Sequence, residues 1–159
     1  MLIIRNRAIV EDDFVHVPDG AELPAAGKPI VTLARYAGAR EELLGRYPAL
    51  GVRMASDQLP GDIPDLDRLV LIAIEFPRFT DGRGYSTARQ LRDRHRFTGE
   101  LRAVGWVLRD QLYYMERCGF DAFELKPGKP LENALEAFRE FSVTYQAAAD
   151  DKRPLYRRR

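Results

Sequence analysis

The chain has 159 residues, 45% hydrophobic and 31% charged, with a net charge of +1. That length and balance describe one globular domain with a real core, and a charge so near zero supplies no global field drawing it to nucleic acid or lipid. One cysteine, Cys118, and two distant histidines, His16 and His95, exclude an intrachain disulfide and a multi-thiolate zinc or iron–sulfur site; no metal site and no Ser-His-Asp hydrolase is expected.

Met1 to Val10 and Phe14 to Val17 read as short strands, forming an N-terminal antiparallel β-hairpin. Pro18 to Pro29 is rich in Pro, Gly and Ala and reads as a surface loop. A further short strand is expected at Ile30 to Leu33. Ala39 to Tyr47 has helical composition, ended by Pro48, and Gly51 to Ala55 reads as a strand. Leu69 to Ile74 is the longest apolar run, far too short to span a membrane. It is also too continuous for a half-exposed strand, and predicts one covered on both faces. Ser86 is a good N-cap for a helix running to about His95.

A strand at 101–104 precedes a helix whose Leu108, Leu112 and Met115 share a face and which stops at Gly119. Cys118 follows Met115 by three and is expected to be an inert core thiol. A strand near 121–125 leads to a last helix opened by Pro130, with Leu131, Ala134, Leu135, Phe138 and Phe141 as its core stripe. The single domain is expected over 1–150, with a basic tail at 151–159. Lys152, Arg153, Arg157, Arg158 and Arg159 put five cations in the last eight residues, which suits a solvated tail or docking to an acidic partner. The amino terminus lacks the basic start and apolar stretch of a secretory signal, so a cytoplasmic location is expected.

Strands joined by helices run parallel. The pattern from 69 to 125 therefore predicts an α/β fold, a mostly parallel sheet with helical crossovers of Rossmann/flavodoxin-like or partial βα-barrel type. The carboxyl ends of three strands then share one edge, where ligands of open α/β proteins bind. Each loop there carries a cation: Arg78 and Arg83, then Arg109, then Lys126 and Lys129.

In Asp81-Gly82-Arg83-Gly84 the two glycines let backbone approach a ligand, and the following helix start offers N–H groups to an anion. A tight turn without ligand fits the same residues. As a dinucleotide fingerprint it fails, since Thr87 stands where a third small residue belongs and no acid ends the next strand. Asp81, Arg83, Gly84, Arg109, Gln111 and Lys126 are the candidate ligand-binding residues. Asp110 is a candidate acid or base, although an acid near a helix start is stabilising without any function. Arg102 is polar amid Leu101 and Ala103-Val104, and a surface pairing with Glu100 is the plainest account of it. Trp106 and Tyr113-Tyr114 could wall a planar ligand, but core packing is the expectation. The residues name no cofactor.

At these residues the chain resembles a bacterial family, the domain of unknown function numbered 934. The likeness runs through Phe76-Pro77-Arg78-Phe79-Thr80-Asp81-Gly82-Arg83-Gly84-Tyr85-Ser86 and Gly99-Glu100-Leu101-Arg102-Ala103-Val104-Gly105. It continues in Val107-Leu108-Arg109-Asp110-Gln111-Leu112 and Arg117-Cys118-Gly119-Phe120-Asp121-Ala122-Phe123. Where the family pattern has an acid, this chain has Trp106, so no acid–base or ribose role is implied there. The family is labelled an oxidoreductase of sulfite reduction, because its genes neighbour those for sulfite reductase and phosphoadenylylsulfate reductase. The resemblance thus implies an accessory protein of assimilatory sulfate and sulfite reduction with one of those reductases as partner. It brings no catalytic residues. The alternative is a small enzyme or binding protein for a sulfated or phosphorylated nucleotide at the carboxyl edge.

Overall fold

Asn6 and Arg7 both adopt positive φ, 50° and 60°, the backbone that a two-residue hairpin turn demands. They join β1 (Leu2–Arg5) to β2 (Ala8–Glu11), which pair antiparallel with Ile4 opposite Ile9. The expected hairpin is present, but both its arms lie within the first eleven residues. The computed structural model describes residues 1–126, 128, 130–139, 147–149 and 151–153. The expectations for Lys129, Phe141 and Arg157 to Arg159 lie outside them.

Phe14–His16 forms β3, and it does not join the hairpin. It pairs parallel with β4 (Lys28–Thr32), which begins inside the segment read as a loop. The pairing with β3 lets Lys28 and Pro29 extend the expected strand backwards, and Pro29 lies next to the edge strand. Helix α1 (Leu33–Gly38) was not legible. Thr32 caps it by accepting a hydrogen bond from the Arg35 amide at 3.2 Å, and Leu33 and Tyr36 bury its inner side. Helix α2 (Arg40–Arg46) and strand β5 (Gly51–Met54) fall as expected.

Strand β6 (Leu71–Phe76) buries almost its whole length. It is followed by α3 (Arg83–Asp93), β7 (Glu100–Gly105), α4 (Leu112–Cys118), the short β8 (Ala122–Phe123) and α5 (Leu131–Glu136). Gly119 ends α4 with φ of 118°, and α4 buries Leu112, Met115 and Cys118. Helix α3 starts three residues before Ser86. Its Ncap is Gly82, and Asp81 accepts the Arg83 amide at 3.1 Å, so the aspartate serves the helix start that the serine was expected to serve.

The eight strands form one sheet in the order β2-β1-β8-β7-β6-β5-β4-β3. Strands β3 to β8 run parallel and only the hairpin is antiparallel, β1 pairing with β8. Laid flat, seven gaps of about 4.8 Å would part the two edge strands by about 34 Å. Yet Asp12 and Asp13 alone join β2 to β3, a link that spans about 10 Å. The sheet must curl until its edges approach.

The curl gives the sheet two unlike faces. Val52, Ile72, Ile74, Leu101 and Phe123 pack on the convex face with Leu43, Ala88, Leu91, Leu112 and Met115 of the helices. On the concave face Ile30, Leu71, Ala73 and Val104 form a separate cluster, with Phe14 against it.

Arg102 lies inside the curl and fully buried, not on the surface. The expected Glu100 pairing exists, Nε donating to Oε1 at 2.7 Å. Two further carboxylates complete it. Asp12 receives Nη1 at 2.7 Å and Nη2 at 2.9 Å, and Glu124 receives Nη1 at 2.8 Å. Arg102 thereby holds the corner between the two edge strands to β7 at the centre of the sheet. Burial works against the charge on Arg102, but the hydrogen bonds it donates to Asp12, Glu124 and Glu100, with the negative charge of Glu100, outweigh it and raise its pKa above the ordinary value. His16 Nε2 donates to Glu124 Oε1 at 2.8 Å, tying β3 to the end of β8.

Candidate functional site

Because β6, β7 and β8 are parallel neighbours, the loops that leave them share the carboxyl edge, as the sequence predicts. The backbone stitches these loops together. Trp106 N–H donates to the Phe76 carbonyl at 2.7 Å, and Lys126 N–H to the Val107 carbonyl at 3.2 Å. Gly105 makes the first contact possible. Its φ is 88°, and a Cβ there would lie 2.6 Å from the Phe76 oxygen. Gln111 binds from its side chain, donating Nε2 to the Phe79 carbonyl at 3.1 Å and accepting the Leu108 amide at 3.2 Å.

Asp81 and Arg83 form a local unit. Arg83 donates Nε to Asp81 Oδ1 at 3.0 Å and Nη2 to Oδ2 at 2.7 Å, and Nη2 also reaches Ser56 Oγ at 2.9 Å. The hydrogen bonds from Arg83, then from Ser56, hold the Asp81 carboxyl well below the usual carboxylate range. Arg109 turns the other way, toward α5. Its Nε donates to the Asn133 carbonyl at 3.1 Å, and Nη1 lies 3.4 Å from Asp110. Asp110 is otherwise open to solvent.

Gly84 faces the protein interior. A Cβ there would stand 2.6 Å from Phe76 Cζ and 3.1 Å from Ile74 Cγ2, so the missing side chain lets α3 settle on β6.

A family model described as a bacterial protein of unknown function (DUF934) matches residues 51–156. The chain belongs to this family. Comparison with curated proteins and with solved structures gives no match. The DUF934 match opens at β5 and so contains the loops that leave β5, β6, β7 and β8, together with Arg102 and Glu124. Asp12 and His16, which complete the buried ion network, precede it.

One feature of this DUF934 chain corrects the sequence reading. Trp106 is not packed in the core: it is 37% exposed, and Phe79 beside it is 56% exposed. Their ring centroids lie 6.4 Å apart. Lys126 Nζ sits 3.1 Å from the centroid of the Trp106 ring, in cation–π contact. The sequence signal was Trp106 directly after a strand-ending glycine, where a core residue has no reason to be. Tyr114 is also exposed, while Tyr85 stacks between it and Phe76 at 5.1 and 5.3 Å.

Proposed function

We propose that this DUF934 chain is an accessory protein of assimilatory sulfate and sulfite reduction, acting by contact with a reductase at the carboxyl edge of its sheet. The observation that carries the contact is the exposed Phe79–Trp106 pair with Lys126 over the indole. Two large aromatic rings are seldom left in water side by side on a monomer. Aromatic side chains are enriched at protein interfaces, and Trp is among the residues that dominate their binding energy. Gln111 fixes the Phe79 backbone, so little flexibility would be lost on docking. The sulfur assignment is supported by the label the family carries, and it nominates sulfite reductase or phosphoadenylylsulfate reductase as partner.

Titrating each purified reductase with the chain by calorimetry tests the reading. Phe79→Ala and Trp106→Ala should each weaken binding by about 1–2 kcal/mol, roughly five- to thirtyfold. Both variants should keep the wild-type melting temperature, because neither ring is core. Failure of both reductases to bind the wild-type chain would reject the partner.

A second reading is favoured by the Arg83 side chain, 60% exposed where α3 begins. It makes this edge a receptor for a sulfated or phosphorylated nucleotide, with Arg83 and Lys126 as the first contacts, and Arg109 and Gln111 reaching the ligand only if they leave Asn133 and the Phe79 carbonyl. Adenosine 3′,5′-bisphosphate is a suitable probe. Equal affinity of wild type and Arg83→Ala for it would leave Arg83 as a turn-closing residue only.

A further inference from the structure

The loops that leave β6, β7 and β8 carry more positive charge than they balance. Arg78, Arg83, Arg109 and Lys126 are four cations, and Asp81 and Asp110 are the two acids set among them. Glu124 is engaged elsewhere, with Arg102 and His16. Asp81 holds Arg83, and Asp110 lies against Arg109. Two positive charges are left over among the described residues, and they belong to Arg78 and Lys126.

Both stand beside the exposed rings. Arg78 is exposed and directly precedes Phe79, and Lys126 holds its ammonium 3.1 Å from the centroid of the Trp106 ring. Neither meets a carboxylate among the described residues. Water solvates both, so neither demands a partner; what they supply is a positive field around an apolar pair. The rings are tilted by 45° to each other, and Lys126 covers one face of the indole. That leaves no pair of parallel faces to clasp a nucleobase, whose stacking needs an open ring face. An aliphatic side chain has no such requirement. A carboxylate beside it would meet an ammonium that the cation–π contact already positions, so few rotamers are lost on binding.

We propose that the segment docking on the Phe79–Trp106 pair is an acidic stretch of protein. An aliphatic side chain of the partner covers the rings, and Asp or Glu side chains flanking it pair with Arg78 and Lys126. This rests on the docking reading above and adds the chemistry of the partner's surface. Charges at the rim of an interface act mainly on the rate of association, which salt screens, whereas the apolar centre acts on the rate of dissociation.

Association and dissociation rates of the full chain with sulfite reductase and with phosphoadenylylsulfate reductase, each immobilised in turn, test this. For the reductase that binds, association should slow about tenfold between about 50 and 500 mM sodium chloride. Arg78→Glu and Lys126→Glu should each slow it about tenfold at the lower salt, and Trp106→Ala should instead speed dissociation. Asp110→Asn should speed association by removing an acid from the same rim. Binding whose association ignores both salt and the two charge reversals would overturn the acidic partner and leave the docking reading standing. Binding of neither reductase to wild type would reject both together. Binding of adenosine 3′,5′-bisphosphate to the chain alone, lost in Lys126→Glu, would overturn the proposal in favour of a nucleotide. Circular dichroism of each variant checks the fold, and the salt dependence of the wild type decides without any variant.

Discussion

At the scale of single residues, Arg102 is the most consequential side chain. A charge can be buried only when it is paired and hydrogen-bonded, and here Asp12, Glu100 and Glu124 do both. Removing the cation would leave three carboxylates enclosed with too little to balance them. Arg102→Leu should therefore cost about 3–5 kcal/mol, the range for breaking a buried pair. Urea unfolding at neutral pH measures it, and a loss under about 1 kcal/mol would show that water already shares the cluster. Adding Asp12→Asn to Arg102→Leu should recover part of the loss, since the two residues are coupled through direct contact. From the sequence Arg102 was visible as an oddity, and its Glu100 partner was named. Its burial was not visible, because Asp12 lies 90 positions away and reaches it only when the sheet curls.

The element that best shows how local sequence and packing divide the work is α3. Asp81 closes onto the Arg83 amide and guanidinium, and Gly82 opens the helix. Gly84 then decides how near the helix can lie to β6. Gly84→Ala would press a methyl group into the Phe76 ring. The expected cost is about 1–3 kcal/mol, as for other overpacked sites, set against the roughly 1 kcal/mol that alanine gains over glycine inside a helix. Thermal unfolding would register the net loss. A stabilised Gly84→Ala protein would mean that Phe76 has an alternative rotamer at low cost. The Asp-Gly-Arg-Gly run was legible as a turn-and-helix start. Which glycine served the turn and which served packing was not, since only the strand beneath distinguishes them.

For the molecule as a whole, the ion network sets a direction for pH dependence. Burial pushes the Glu124 pKa up, but hydrogen bonds from His16 and Arg102 outweigh it, and the folded value lies below the ordinary 4.5. A carboxyl whose pKa is lower folded than unfolded contributes fully above the unfolded value. It loses that contribution as pH falls through the folded one. Asp81 shifts the same way, through Arg83. Asp121 runs against them, its pKa raised by burial despite Arg92. Stability should thus hold from about pH 7 to pH 5 and decline below about 4.5. Urea midpoints across pH 3–7 would show it, and Glu124→Gln should flatten the acid limb. An unchanged limb in that variant would assign acid lability to other carboxylates.

The sequence alone determined the parallel α/β order of β6, β7 and β8, the hairpin at the start, and the burial of Cys118, because periodicity, glycine stops and apolar runs are local signals. It also determined where the carboxyl-edge loops lie, since strands joined by helices must point one way. Only the tertiary structure decided that β3 leaves the hairpin for the far edge. Pairing there depends on the partner strand β4, whose first residues, Lys28 and Pro29, look like loop in isolation. Only the curl placed Arg102 among Asp12, Glu124 and Glu100, and only the packing of the edge loops turned Trp106 outward beside Phe79. Each of those outcomes depends on which side chains meet across strands far apart in the chain, and residue spacing carries no record of that.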